Sequence, residues 1–185
     1  MDTPVEPRRR DAAKTRARIL AAAYDTFSQH GYAKAGIREI AANANVASSL
    51  LIRYFGTKAA LFEEALVHAI YAGSMFWRDK KKFGVKMARM IVEDDDARLT
   101  AMLVLAIADP ESKEVAIKVT KRHIIEPLAE WLGPPEALSR AHNMFSVMTG
   151  FTIQMRHLTR DEISPHSIKW LAEALQVIVD EPQET

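Results

Sequence analysis

Apolar residues in this chain recur three or four positions apart, and no alternating run is bounded by a hairpin dipeptide. That period lines one face of a helix and cannot line one face of a strand, so the sequence predicts an all-α fold. After Asp11, the residues Ile19, Leu20, Ala23 and Phe27 share one stripe, and Gly31 is placed to end that helix. Two short helices are expected next, at Ile37–Ala44 and Ser48–Tyr54. A long one follows from Thr57, its N-cap, to about Arg78, with Leu61, Phe62, Ala65, Leu66 and Ile70 on its apolar stripe. A weaker pattern covers "VKMARMIV", and the acidic run Glu93–Asp96 connects to a helix over Ala97–Ala108. Asp109 with Pro110, and Ser164 with Pro165, read as helix starts, and a further pattern spans Glu136–Leu158. The total is about nine helices.

The chain has 185 residues, 48% hydrophobic and 26% charged, which suits a soluble globular protein with a real core. No apolar run approaches the roughly 18 residues of a membrane span, so no membrane partner is expected. The N-terminus has arginines but no apolar segment behind them, unlike a secretory signal, and a cytoplasmic location is the expectation. With no cysteine, disulfides, thiol catalysis and cysteine-ligated metal are excluded. Charge is uneven. Residues 1–62 carry ten Lys/Arg against five Asp/Glu, and the remainder carry fifteen against nineteen. A basic first third on an acidic remainder fits an anionic partner for that third, although ordinary charge scatter gives the same pattern.

The two short helices leave only a tight turn between them and have a preceding helix to pack on. That is a helix-turn-helix, whose second helix lies in the DNA major groove with its N-terminal residues at the base edges. Ala47, Ser48 and Ser49 fit that place: small residues allow close approach, and a serine hydroxyl can bond to base or phosphate. Ile40, Ala41, Val46, Leu51 and Phe55 are expected to face inward. Ile52 cannot share the Leu51/Phe55 stripe without crowding, so it faces the groove, where it can meet a thymine methyl.

Gly31, "IREIA" at Ile37–Ala41, Val46 and "YFGTKAAL" at Tyr54–Leu61 together resemble the N-terminal domain of the tetracycline-repressor (TetR) family, over about residues 12–72. "DPESKE…IIEPLAEWL" is more loosely similar to a C-terminal domain of some actinobacterial members. The resemblance implies a homodimeric transcriptional regulator, usually a repressor, released from palindromic double-stranded DNA when a small apolar or amphipathic effector binds the C-terminal domain. It implies that Arg38 reaches a base or phosphate, that Ala47–Ser49 open the recognition helix, and that Arg53 and Tyr54 touch the DNA backbone. Lys58 adds charge beside a helix N-terminus. Four positions depart from the family pattern. Gly36 replaces a threonine cap, Asn45 replaces the turn glycine while still tolerating a left-handed backbone, and Ala47 replaces a serine or threonine cap. Ile52 also replaces a common tyrosine.

The expected division is a basic arm at 1–10, a DNA-binding domain at 11–56 with its motif at 36–55, and a ligand-binding and dimerisation domain at 57–185. Arg8–Arg10 fit either a minor-groove arm or a solvated tail. In the C-terminal part Met75, Phe76, Met102, Met144, Met148 and Phe151 suggest, as a set read with the family, an adaptable effector site with His123 and Thr152 as polar anchors. Taken singly, a helical methionine is more often core. Dimerisation through the last two long helices is expected, since a single reading helix makes few contacts. No phosphate loop, HExxH or nucleophile elbow is present, no cofactor is expected, and "EDDD" reads as a solvated connector rather than a metal site. Besides the regulator, two classes stay open: a DNA-binding architectural protein without an effector, and a helical enzyme.

Overall fold

In the computed structural model the described residues are 6–72, 79–93, 96–159 and 163–180. Among them every regular element is helical: α1 (Glu6–Lys34), α2 (Ile37–Asn43), α3 (Ser48–Phe55), α4 (Lys58–Ala72), α5 (Phe83–Glu93, entered by a 3₁₀ turn at Lys80–Lys82), α6 (Arg98–Ala106), α7 (Pro110–Thr120), α8 (Glu126–Leu132), α9 (Ala137–Ile153) and α10 (Pro165–Asp180). A π-helical turn, Lys121–Ile125, joins α7 to α8 without a break, so these ten segments make nine helices among the described residues. A second π turn, Gln154–Leu158, extends α9. The first π turn has a local cause. Pro127 has no N–H and its ring crowds the carbonyl four residues back, and the wider turn just before it relieves that clash.

The caps fall where the sequence places them. Thr57 Oγ1 accepts from the Ala60 N–H at 3.0 Å, Asp109 Oδ1 from the Ser112 N–H at 3.0 Å, and Ser164 Oγ from the Ser167 N–H at 3.1 Å. Asp96 Oδ1 accepts from the Arg98 N–H at 3.1 Å. Gly31 leaves helical geometry at φ +70°, as its expected stop requires, and one more turn follows to Lys34. α1 also begins earlier than expected, at Glu6. Met75 and Phe76 lie outside the described residues, as does the expected run of α4 to Arg78.

Packing divides the chain into two compact units, one of residues to Ala72 with Ala101–Ile117, the other of 73–100 with 118–185. The expected boundary at 56/57 is therefore not where the packing divides, because α4 and the α6–α7 corner bury their apolar faces with α1. In the first unit Ile19, Phe27, Ile40, Leu51, Leu61, Phe62 and Leu66 are buried. In the second, α5, α8, α9 and α10 enclose Phe83, Met87, Leu128, Leu132, Ala141, Met144, Leu171 and Leu175. Two devices hold that core. Gly84 lets α5 press on α10, and its N–H donates to Gln176 Oε1 at 2.9 Å. Buried Arg140 donates to the carbonyls of Ile178 and Val179 at the end of α10, both at 2.9 Å, and to those of Gly133 and Pro135. A cation among free carbonyls at a helix C-terminus is favourably placed. Among the described residues no helix is long and apolar enough to cross a membrane.

A methyl group on Gly84 would collide with the Ala172 carbonyl oxygen. On an open helix Gly→Ala stabilises by roughly 1 kcal/mol. Here Gly84→Ala is expected to destabilise by on the order of 3 kcal/mol, since the helices must part, and a denaturant melt reads the sign directly.

Candidate nucleic-acid interface

The first unit is organised around α3. Leu51 and Phe55 are buried on its inner face at 0% and 6% exposure, while Ile52 between them is 45% exposed. Ala47, Ser49 and Arg53 are exposed on the outer side, and Ser48 and Tyr54 are half-buried. Helical spacing alone accounts for this: with Leu51 and Phe55 four apart on the inside, the residues between them must turn outward. Arg38, on α2, is exposed as well. The structure thus presents Arg38, Ala47, Ser49, Ile52 and Arg53 to solvent from two adjacent helices.

Both ends of α3 are fixed by the backbone. Asn45 has φ +51°, its N–H bonds the Ala42 carbonyl and the Val46 N–H bonds the Ala41 carbonyl, both at 2.9 Å. This paired closure of α2 needs a left-handed residue, and asparagine supplies it where the family pattern has glycine. At the other end Gly56 has φ +76° and ψ −63°, with Thr57 N–H bonded to the Phe55 carbonyl at 2.9 Å. That is a γ-turn, and it brings Thr57 directly into its capping position on α4.

The departures at Gly36 and Ala47 have visible consequences. Neither gives a side-chain cap. At α2 the loss is partly offset by Glu39, whose Oε2 accepts from the half-buried Gly36 N–H at 3.4 Å. Glu39 also pairs with His30 at 3.5 Å, and Asn43 Nδ2 donates to Thr26 Oγ1 at 3.3 Å, so α2 is tied to α1 at both ends. At α3 Ala47 offers no side-chain acceptor to the first turn, while its carbonyl accepts from the Leu50 N–H at 2.9 Å.

Lys58, half-buried in the first turn of α4, lies with its Nζ 4.5 Å from the centre of the Tyr32 ring and 3.5 Å from the Ala33 carbonyl oxygen. Tyr32 belongs to an aromatic trio with Phe27 and Phe62, with ring centres 5.0 Å (Phe27–Phe62) and 5.3 Å (Tyr32–Phe62) apart. Burial and the nearby Glu111 carboxylate raise the Tyr32 phenol well above its ordinary value, so it stays a donor. Arg16 pairs with Glu64 and lies 5.3 Å over Phe55, bracing the α3–α4 joint from α1. Sequence reasoning missed Arg16. The signal was there, since Arg16 stands one turn before Ile19 and Leu20 on the core-facing stripe.

The residues expected to hold an effector are not gathered in the same way. Met102 is buried in the first unit; Met144 is fully buried in the core of the second, the commoner fate of a helical methionine. Met148 and Phe151 are half-buried against that core, and His123 and Thr152 are half-buried on their helices. Of these residues Phe151 lines a cleft of about 370 Å³, together with Gln154, Met155, Thr159, Ser164 and Trp170.

Comparison with known proteins bears on this arrangement. Residues 19–65 match the family described as bacterial regulatory proteins, tetR family, and residues 81–179 match the tetracyclin repressor-like C-terminal domain. A stretch of 57 residues is 44% identical to the HTH-type transcriptional repressor SCO4008 of Streptomyces coelicolor; it spans 31% of this chain and 30% of that protein. Among solved structures, a transcriptional regulator from Rhodococcus sp. Rha1 superposes with a TM-score of 0.61 at 23% identity, covering 90% of this chain and 94% of that one. Salmonella enterica GusR gives 0.67 at 17% identity, covering 97% and 96%. At these identities the structural likeness speaks for the fold.

The turn makes its own prediction. Asn45→Val forces a branched side chain into the left-handed region and is expected to cost about 1–2 kcal/mol. Asn45→Gly should stay within about 0.5 kcal/mol of the parent. Thermal melts of the two variants check this, and equal losses would show that the turn does not depend on that conformation.

Proposed function

The chain belongs to the tetR family of bacterial regulatory proteins, and from that premise we propose that this DNA-binding transcriptional regulator is a homodimeric repressor that a small apolar or amphipathic molecule releases from a palindromic operator. The observation that carries the DNA side is α3: it is fixed at both ends, buried along Leu51 and Phe55, and bare along Ala47, Ser49, Ile52 and Arg53. In this reading Ser48, Ser49 and Ile52 meet base edges with Arg38, while Gly36, Arg53, Tyr54 and Lys58 lie along the phosphates. The match to a curated repressor falls in sequence identity over a stretch, so repression is carried over as part of the proposal.

The partner copy is proposed to pack on α9 and α10. Leu138, Trp170 and Val177 are exposed there at 56%, 53% and 68%, and Trp170 and Val177, seven apart, share one face of α10. Leu175 is not part of that face. It is fully buried in the second unit's own core. The effector is proposed to bind in the second unit near Met148, Phe151 and Thr152, where half-buried apolar side chains leave room for adjustment.

A footprint on the DNA upstream of the protein's own gene tests the whole reading. Two protected half-sites about 34 Å apart are expected. Affinity should fall with salt at a slope of about −0.9 per phosphate contact, and Arg53→Ala should reduce that slope by about one contact on every sequence. Ser49→Ala or Arg38→Ala should instead change base preference. Val177→Asp, on an exposed position, should yield a folded monomer by sedimentation. A monomeric parent that still protects a symmetric site would overturn the dimer, and a ligand screen with no release would favour the architectural reading.

A further inference from the structure

Tyr32 is 5% exposed, yet its hydroxyl is paired: it donates to Glu111 Oε2 at 2.5 Å. The acceptor comes from a segment 79 residues away in sequence. Glu111 is held by more than its own side chain. It stands in the first turn of α7, behind the Asp109 cap and Pro110. Fully buried Ser112 donates its hydroxyl to the Ala106 carbonyl at 3.0 Å, which ties the end of α6 to the start of α7. The corner therefore moves as one piece, and the carboxylate with it. Leu105, on the same corner, packs at Gly31, where a Cβ would stand 3.4 Å from the Leu105 Cβ.

The Tyr32 ring is also the seat of the Lys58 ammonium, 4.5 Å from its centre. We propose that Tyr32 and Glu111 are positioning residues for the DNA contact of Lys58: the carboxylate sets the ring, the ring sets the ammonium, and the α6–α7 corner thereby controls how well Lys58 meets a phosphate. The inference rests on the reading that Lys58 touches the DNA backbone. Its physics is direct. The hydrogen bond tethers the ring in one position, so the ring loses that tether when the corner withdraws or when either partner of the bond is removed. Attraction of a cation to a ring face weakens once the cation leaves the axis, so a displaced ring no longer holds Lys58.

The test uses the full chain and a palindromic duplex recovered by selection from random sequence, with binding followed over a salt series. Stoichiometric titration at low salt gives the active fraction, so partial unfolding is removed from the comparison. Lys58→Met is expected to lower the slope of log K against log salt by about 0.9. Tyr32→Phe, which keeps the ring and loses the hydroxyl, and Glu111→Ala should each weaken binding about threefold to tenfold and lower the slope by part of the Lys58 effect. Glu111→Gln should restore most of the affinity, because its amide oxygen still accepts the phenol hydrogen bond. In a Lys58→Met background Tyr32→Phe should do nothing more. If Lys58→Met lowers the slope while Tyr32→Phe and Glu111→Ala leave it unchanged, or add fully to Lys58→Met, the inference fails and the Lys58 contact stands. If Lys58→Met leaves the slope unchanged, the Lys58 reading falls and takes the inference with it.

Discussion

The reading head depends on the burial of three aromatic rings where α1 meets α4. Phe27 and Phe62 are at 0% and 1% exposure and meet edge to face, and Tyr32 leans on both. Each such ring contributes about 1.5–3 kcal/mol by leaving water, and each edge contact adds roughly 0.5–1.5 kcal/mol. Phe62 stands one turn after Lys58 on α4, and Phe27 one turn before Gly31 on α1. The trio therefore fixes α4 against α1, and with it the platform from which α2 and α3 project. Every outward residue of the proposed interface inherits its position from that joint.

Within the platform, backbone geometry does what side-chain caps do elsewhere. The left-handed Asn45 closes α2, the γ-turn at Gly56 closes α3, and neither end of α3 can rotate without breaking a main-chain hydrogen bond. A recognition helix so held gives up adaptability for orientation. The missing cap at Ala47 has a use in the proposed reading: a serine or threonine there would bond a first-turn N–H internally, whereas alanine offers no side-chain acceptor and leaves room for a phosphate. The missing cap at Gly36 has no such use, and Glu39 compensates for it within the same turn.

What could be read from the sequence was whatever is decided within about four residues. The caps at Thr57, Asp109 and Ser164, the stop at Gly31, the left-handed Asn45 and the outward Ile52 are all local consequences of residue type and spacing. The partners of the buried faces were not legible. Helical periodicity says that Met102 and Met144 are buried without saying in which unit, and it cannot show that residues 101–117 pack with α1 and α4. Gly84 looks like a weak point in a helix until Ala172, far along the chain, is seen to need its space. Arg140 reads as one more exposed cation, because four carbonyls from two places in the sequence cannot be foreseen from its neighbours.

Energy sets the scale on which such a regulator can be switched. Releasing DNA by a hundredfold change in affinity takes about 2.7 kcal/mol of coupling, and an effector supplies it only through a difference in its own affinity for the two states. A single hydrogen bond such as Tyr32–Glu111 carries about 1 kcal/mol net, so it cannot be the whole switch. It sits, however, on the same corner as Leu105, whose packing at Gly31 has little slack, and on a corner stiffened by Ser112. Parting that corner from α1 breaks the hydrogen bond and the packing together. In the proposed switch a stiff corner makes the losses cooperative, whereas a softer connection would let the contacts fail one at a time, each too small to release DNA alone.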